Sequence, residues 1–116
     1  LAYSPLGFGH LTGKYLKDPK SLGRANLFPG YAKRYDKPGV NRAIKSYLNL
    51  AEDLNLSLTE LALSFVYSQW FVKSTIIGAT TMEQLKQNIS AYKTKLPEDI
   101  INQIDQIHLE VMNPAP

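Results

Sequence analysis

Two short strand-like segments set the limits on what this chain can fold into. Leu1-Ala2-Tyr3-Ser4 reads as the end of a strand, cut off by Pro5. Ser74-Thr75-Ile76-Ile77-Gly78 is a β-branched run closed by glycine, a second strand. Helical patterns lie between them and after them. Strands alternating with helices pair in parallel through crossovers, and a parallel sheet needs both faces covered. Two strands cannot supply that. The pattern therefore predicts the closing end of a larger α/β structure, mostly helical in itself. The chain opens on Leu1, inside an apolar run, so further sequence is expected before it. One modest domain is the most that 116 residues hold.

Four helices are expected. Val40, Ile44, Tyr47, Ala51 and Leu54 recur at spacings of three or four, and Asn55 stops that stripe. Ser57-Leu58-Thr59-Glu60 matches a capping box. The helix behind it, through Trp70, is apolar nearly all round and should be heavily buried. Thr80-Thr81 caps a third helix, with Met82, Leu85, Ile89 and Tyr92 on one face. Pro97 suits the first position of a fourth, whose stripe is Ile100 or Ile101, Ile104, Ile107 and Val111. Residues 17–39, punctuated by six prolines and glycines, read as one long loop without structure of its own. A loop of that length is often a lid or binding loop.

Charge is unevenly placed. Residues 1–45 carry nine basic and two acidic side chains, whereas the remainder carries four basic and eight acidic ones. A basic half suits a phosphate-bearing partner, a dinucleotide or a nucleic acid; it equally suits a solvated surface. Cysteine is absent, which removes disulfides, thiolate catalysis and cysteine metal sites. No apolar stretch approaches the ~18 residues of a membrane span.

Two segments have chemistry in them. Gly7-Phe8-Gly9-His10-Leu11-Thr12-Gly13-Lys14 is not a P-loop, because Phe8 and Tyr15 stand where glycine and the magnesium-binding hydroxyl belong. It is not a Rossmann fingerprint either, since the third glycine comes one residue late. Glycines after a strand do let backbone amides approach an anion, and Lys14 adds charge; a plain strand-to-loop turn has the same composition. In Gly78-Ala79-Thr80-Thr81, a glycine-ended strand feeds a hydroxyl-capped helix, whose free amides and dipole favour a phosphate. Gln84, Gln87 and Asn88 share one polar face there. An ordinary capped amphipathic helix shows the same pattern.

Tyr3-Ser4-Pro5-Leu6-Gly7 with Leu11-Thr12-Gly13-Lys14-Tyr15, then Ile77-Gly78-Ala79-Thr80, Gln84-Leu85 and Asn88, resembles the aldo-keto reductase superfamily. The likeness is greatest to the bacterial general reductases and the potassium-channel beta subunits. It runs the whole chain, including Ser57 to Phe65 and the final Asn113-Pro114-Ala115-Pro116. The resemblance implies the last part of a (β/α)₈ barrel, residues 1–116 running from the seventh strand (Leu1–Ser4) through the eighth (Thr75–Gly78) to the end. Active sites of such barrels lie at the C-terminal ends of the strands.

The resemblance also implies NADP(H) as cofactor, an aldehyde or ketone as substrate, and a cytoplasmic location. Tyr3 would stack on the nicotinamide. Ser4, Pro5, Leu6, Gly7 and Gly9 would line the pyrophosphate path, with Lys14 and Arg24 nearby and the basic loop folded over the dinucleotide. Gly78, Thr80, Gln84, Gln87 and Asn88 would hold the adenosine end. Many family members place Lys or Arg near the eighth strand to clamp the 2′-phosphate of NADP, whereas this sequence has Gly78 and Gln84. The family's catalytic Asp, Tyr, Lys and His lie on earlier strands, so no catalytic residue and no metal ligand is expected here. His10 is expected in a loop near the cofactor, and His108 at the surface or a helix end. The first alternative is a cofactor-holding regulatory subunit with little turnover; a basic module binding nucleic acid ranks below it, because Tyr31 and Tyr35 among the basic residues also suit a folded lid, and neither a nucleic-acid nor a membrane partner is expected.

Overall fold

The computed structural model describes residues 1–115; Pro116, the last residue of the terminal Asn-Pro-Ala-Pro, lies outside them. Six helices follow in order: α1 (Lys14–Lys17), α2 (Arg24–Leu27), α3 (Pro38–Asp53), α4 (Leu58–Ser68), α5 (Met82–Ser90) and α6 (Glu98–Glu110). Short 3₁₀ turns occupy Gly7–Thr12, Lys33–Tyr35 and Ala91–Lys93. No described helix is long and apolar enough to cross a membrane.

The two expected strands do not form as strands. They meet at one parallel bridge, Ala2 with Thr75. Ala2 N–H donates to the Ser74 carbonyl and Ile76 N–H to the Ala2 carbonyl, both at 2.9 Å. The parallel sense agrees with the crossover argument. The segments stay this short because pairing of two strands alone is marginal and needs further strands or a packed face to extend.

The core gathers the stripes of α3, α4 and α6. Val40, Ile44, Leu50 and Ala51 meet Leu58, Leu61, Ile100 and Ile104 in one buried cluster. Of the two candidates on the last helix, Ile100 is the buried one and Ile101 lies beside it, half-exposed. Pro97 caps α6 from outside rather than filling its first helical position, since its ψ of 156° is extended. The capping box is present as expected: Glu60 N–H donates to Ser57 Oγ at 3.2 Å, and Ser57 N–H donates to Glu60 Oε2 at 2.9 Å.

Further expectations are corrected on α4 and α5. Trp70 does not continue the helix and is 86% exposed. α4 ends at Ser68, where the Ser68 hydroxyl and the Gln69 side-chain amide both donate to the Phe65 carbonyl and close the last turn. Ala62, Phe65 and Val66 are only half-buried, lining with Pro5, Leu11 and Tyr47 an open apolar groove of about 190 Å³. In α5 and the turn after it the buried residues are Asn88 and Ala91, whereas Met82, Ile89 and Tyr92 are exposed and Leu85 is half-buried. Polar anchors on α4 decide this: Ser64 donates to the Ala91 carbonyl at 3.0 Å, and Tyr67 to the Asn88 carbonyl at 3.1 Å. Burial pushes the Tyr67 phenol up, so it stays protonated as the donor.

Residues 17–39, finally, are not structureless. Asn26 Nδ2 donates to the carbonyls of Pro19 and Ser21, both at 2.8 Å, and gathers the loop around the single turn of α2.

Candidate functional site

Because the Ala2–Thr75 bridge is parallel, both chain segments leave it at the same end. One continues into the glycine turn of residues 4–13, the other into Gly78–Thr81. The two segments singled out in the sequence therefore both continue from the same end of the bridge.

Tyr3 is the residue after the bridge and presents a ring that is 75% exposed. Ser4 beside it is exposed, and Pro5, Leu6, Gly7 and Gly9 are half-buried along the turn. The turn is wound tightly: Gly7 N–H donates to the Ser4 carbonyl and Gly9 N–H to the Leu6 carbonyl, both at 2.9 Å. Such winding puts φ at +51° in Gly7, +57° in Phe8 and +91° in Gly9. Glycine accepts this region freely, whereas Phe8 is held there by its surroundings, at an expected cost of roughly 1 kcal/mol. Its ring packs on Tyr31 (centroids 5.5 Å) and Tyr35 (5.7 Å), and the Arg24 guanidinium lies over it at 5.7 Å.

Lys14 and Arg24 both reach this turn. Lys14 Nζ donates to the Leu22 carbonyl at 3.1 Å and lies 4.9 Å from the Tyr15 ring centroid. Gly23 makes the approach possible, because a Cβ there would collide with the Tyr15 hydroxyl and Lys14 Nζ. The basic loop is therefore folded onto the glycine turn. Its fastening is aromatic and includes Phe8, Tyr15 and Tyr35, none of which was expected as a cofactor-binding residue. Their signal was the density of aromatic residues between positions 8 and 35.

The second segment is organised from within. Thr81 caps α5, its hydroxyl accepting from Gln84 N–H at 3.2 Å. The Thr80 N–H and hydroxyl both donate to Gln84 Oε1, at 2.9 and 3.1 Å. Asn88, 2% exposed, donates to the Gly78 carbonyl at 3.1 Å. Gln87 turns the other way and donates to Ser57 Oγ at 2.9 Å, joining the start of α4 to α5. Gly78, Thr80 and Gln84 are exposed at the surface, and Asn88 holds Gly78 from below. His108 is exposed in the last turn of α6. Among the described residues no group of three histidine or acidic side chains is placed to hold a metal.

With this geometry the chain can be set beside known proteins. The model of the aldo/keto reductase family matches residues 1–109. Over its full length the chain is 43% identical to the protein Tas of Escherichia coli K12, of which it covers 34%. It is 40% identical to an aldo-keto reductase of Babesia bovis, with 98% of this chain aligned to 42% of that one. It is 31% identical to a putative voltage-gated potassium channel subunit beta of Schizosaccharomyces pombe, with 90% of this chain aligned to 32% of that one. The chain thus spans between about a third and two fifths of the length of these relatives. Match and resemblance agree: the chain belongs to the aldo/keto reductase family.

Proposed function

We propose that this chain is the C-terminal part of a (β/α)₈-barrel carbonyl reductase and supplies much of its NADP(H) site. The observation that supports it is the parallel Ala2–Thr75 bridge, which brings the glycine turn and the Gly78–Thr81 segment to one end of the fold. In this reading Leu1–Ser4 ends the seventh strand and Thr75–Gly78 is the eighth.

The residues suit a dinucleotide. A Cβ at Gly78 would meet no atom within 4 Å, so that turn borders open space. Tyr3 offers an exposed ring for the nicotinamide. Ser4, Pro5, Leu6, Gly7 and Gly9 form a close-approach backbone along the pyrophosphate path. Lys14 and Arg24 bring positive charge to it. Thr80 and Gln84 receive the adenosine end, at the start of α5 where the dipole favours negative charge. Asn88 supports Gly78 beside them from within the helix, and Gln87 anchors that helix to Ser57.

When bound, the cofactor supplies a hydride for an aldehyde or ketone. This chain's part is to bind and orient; the proton donor is assigned to earlier strands. Fluorescence titration of the full-length protein with NADPH and NADH tests the reading. Saturable NADPH binding, tighter than NADH binding, is expected, and absence of binding would overturn it. Aldehyde turnover by the same preparation separates a reductase from a cofactor-holding regulator.

A further inference from the structure

His10 sits at the centre of the contact between the glycine turn and the basic loop. Its imidazole stacks on Tyr35, with centroids 4.7 Å apart and planes 20° from parallel. Its other neighbour is Tyr15, at 4.9 Å and 50°. Tyr15 stands in α1, just before the loop begins, and Tyr35 in the turn that ends it. One ring is therefore in contact with both ends of the loop. His10 Nε2 is buried and has no hydrogen-bond partner among the described residues, and the same holds for the Tyr15 hydroxyl.

The charged groups around it are few. Lys14 acts from α1 and Asp36 from just beyond the Lys33–Tyr35 turn. The Arg34 guanidinium lies 5.7 Å from the Tyr35 ring centroid, and Arg24 covers Phe8 at the same distance. Burial lowers the His10 pKa most; Asp36 opposes this and Lys14 adds to it.

We infer that His10 is a positioning residue: its neutral imidazole clamps the basic loop, residues 17–37, onto the glycine turn, and protonation releases the loop. The clamp is aromatic contact, which a bare imidazole makes well. A protonated ring would carry a second N–H into a buried place that offers it no acceptor. In the open loop that N–H is hydrated. The open state therefore binds the proton more tightly, so clamping strengthens as pH rises and weakens as pH falls below the ordinary histidine value of about 6.5. Opening carries Arg24 away from the turn and removes the Leu22 carbonyl from Lys14. A nucleotide held under the loop would leave faster in acid; that consequence rests on the dinucleotide reading, and the clamp itself does not.

The test uses the full-length protein without nucleotide. Proteinase K cleavage between residues 17 and 37 is mapped by mass spectrometry at about pH 7.5 and about pH 5.5, on either side of the ordinary histidine value. Each rate is normalised to an unstructured peptide at the same pH. Loop cleavage is expected to rise up to about tenfold at the lower pH. His10→Phe keeps the stacked ring and should be cleaved slowly at both pH values. His10→Ala should be cleaved fast at both. A His10→Phe protein with the unaltered protein's pH response, or a slowly cleaved His10→Ala protein, overturns the inference. If His10→Ala does not fold, His10→Phe decides alone. Stopped-flow release of NADPH from the same proteins should follow the cleavage pattern. A protein that binds no NADPH overturns the dinucleotide reading, and the clamp is then judged on cleavage.

Discussion

Asn88 donates from Nδ2 to the Gly78 carbonyl oxygen at 3.1 Å, tying the interior of α5 to the residue that ends the second extended segment. Asn88 is almost fully buried, so its side-chain amide is withdrawn from water while the Gly78 end of the bond lies near the surface. Asn88→Ala should lower the stability of the full-length protein by about 1–3 kcal/mol, through the lost bond and the space left behind. Asn88→Asp should cost more, because it turns a buried charge toward a carbonyl oxygen. Urea denaturation measures both, and an unchanged midpoint in Asn88→Ala would remove the tether.

Lys14 holds the Leu22 carbonyl and brings charge to the glycine turn. Lys14→Ala should weaken NADPH binding by about 1–3 kcal/mol, the range for a hydrogen bond to a charged group. The remaining affinity should also depend less on salt. Fluorescence titration at two ionic strengths checks both points. Affinity equal to that of the unaltered protein would take Lys14 out of the site.

Tyr3 presents its ring at the end of the first extended segment, with little of it covered. Tyr3→Ala should slow hydride transfer more than it weakens binding of an adenosine-end fragment such as 2′,5′-ADP. Single-turnover kinetics and a fragment titration separate the two effects. Normal transfer in Tyr3→Ala would end the stacking role.

Much of this was legible in the sequence, for local reasons. The capping box at Ser57 and Glu60 is written in four consecutive residues. The stripes of α3 and α6 follow from spacing, and Val40, Ile44, Ala51, Ile100 and Ile104 are buried where that spacing puts them. The orientation of α5 was not legible. Spacing found an apolar face in Met82, Leu85, Ile89 and Tyr92, but Ser64 and Tyr67 of α4 bind the main-chain carbonyls of Ala91 and Asn88, and those two residues are the buried ones. Nothing in residues 82–92 announces that. Trp70 fits a helical stripe, yet two side-chain bonds to Phe65 end the helix before it. The aromatic clamp joins positions 8, 10, 15, 31 and 35, and no single window of sequence holds them in their final arrangement.

Residues 1–116 expressed alone should self-associate. Trp70, Met82, Ile89 and Tyr92 are exposed, and the groove beside Phe65 is apolar and open. Exposed large apolar side chains and an open apolar groove favour association, and the two bridged segments offer unpaired outer edges. Sedimentation velocity with a fluorescent hydrophobic dye should show oligomers and strong dye binding. A monodisperse monomer that unfolds cooperatively would contradict this. The same preparation should not turn over an aldehyde with NADPH.

The central claim is that the glycine turn and the Gly78–Thr81 segment hold one dinucleotide between them. A crystal structure of the full-length protein with NADP⁺ tests it most directly. The nicotinamide is predicted against Tyr3, the pyrophosphate along residues 4–9 beneath Lys14 and Arg24, and the adenosine end at Thr80 and Gln84. A nucleotide bound with neither segment in contact, or bound to only one of them, would contradict it.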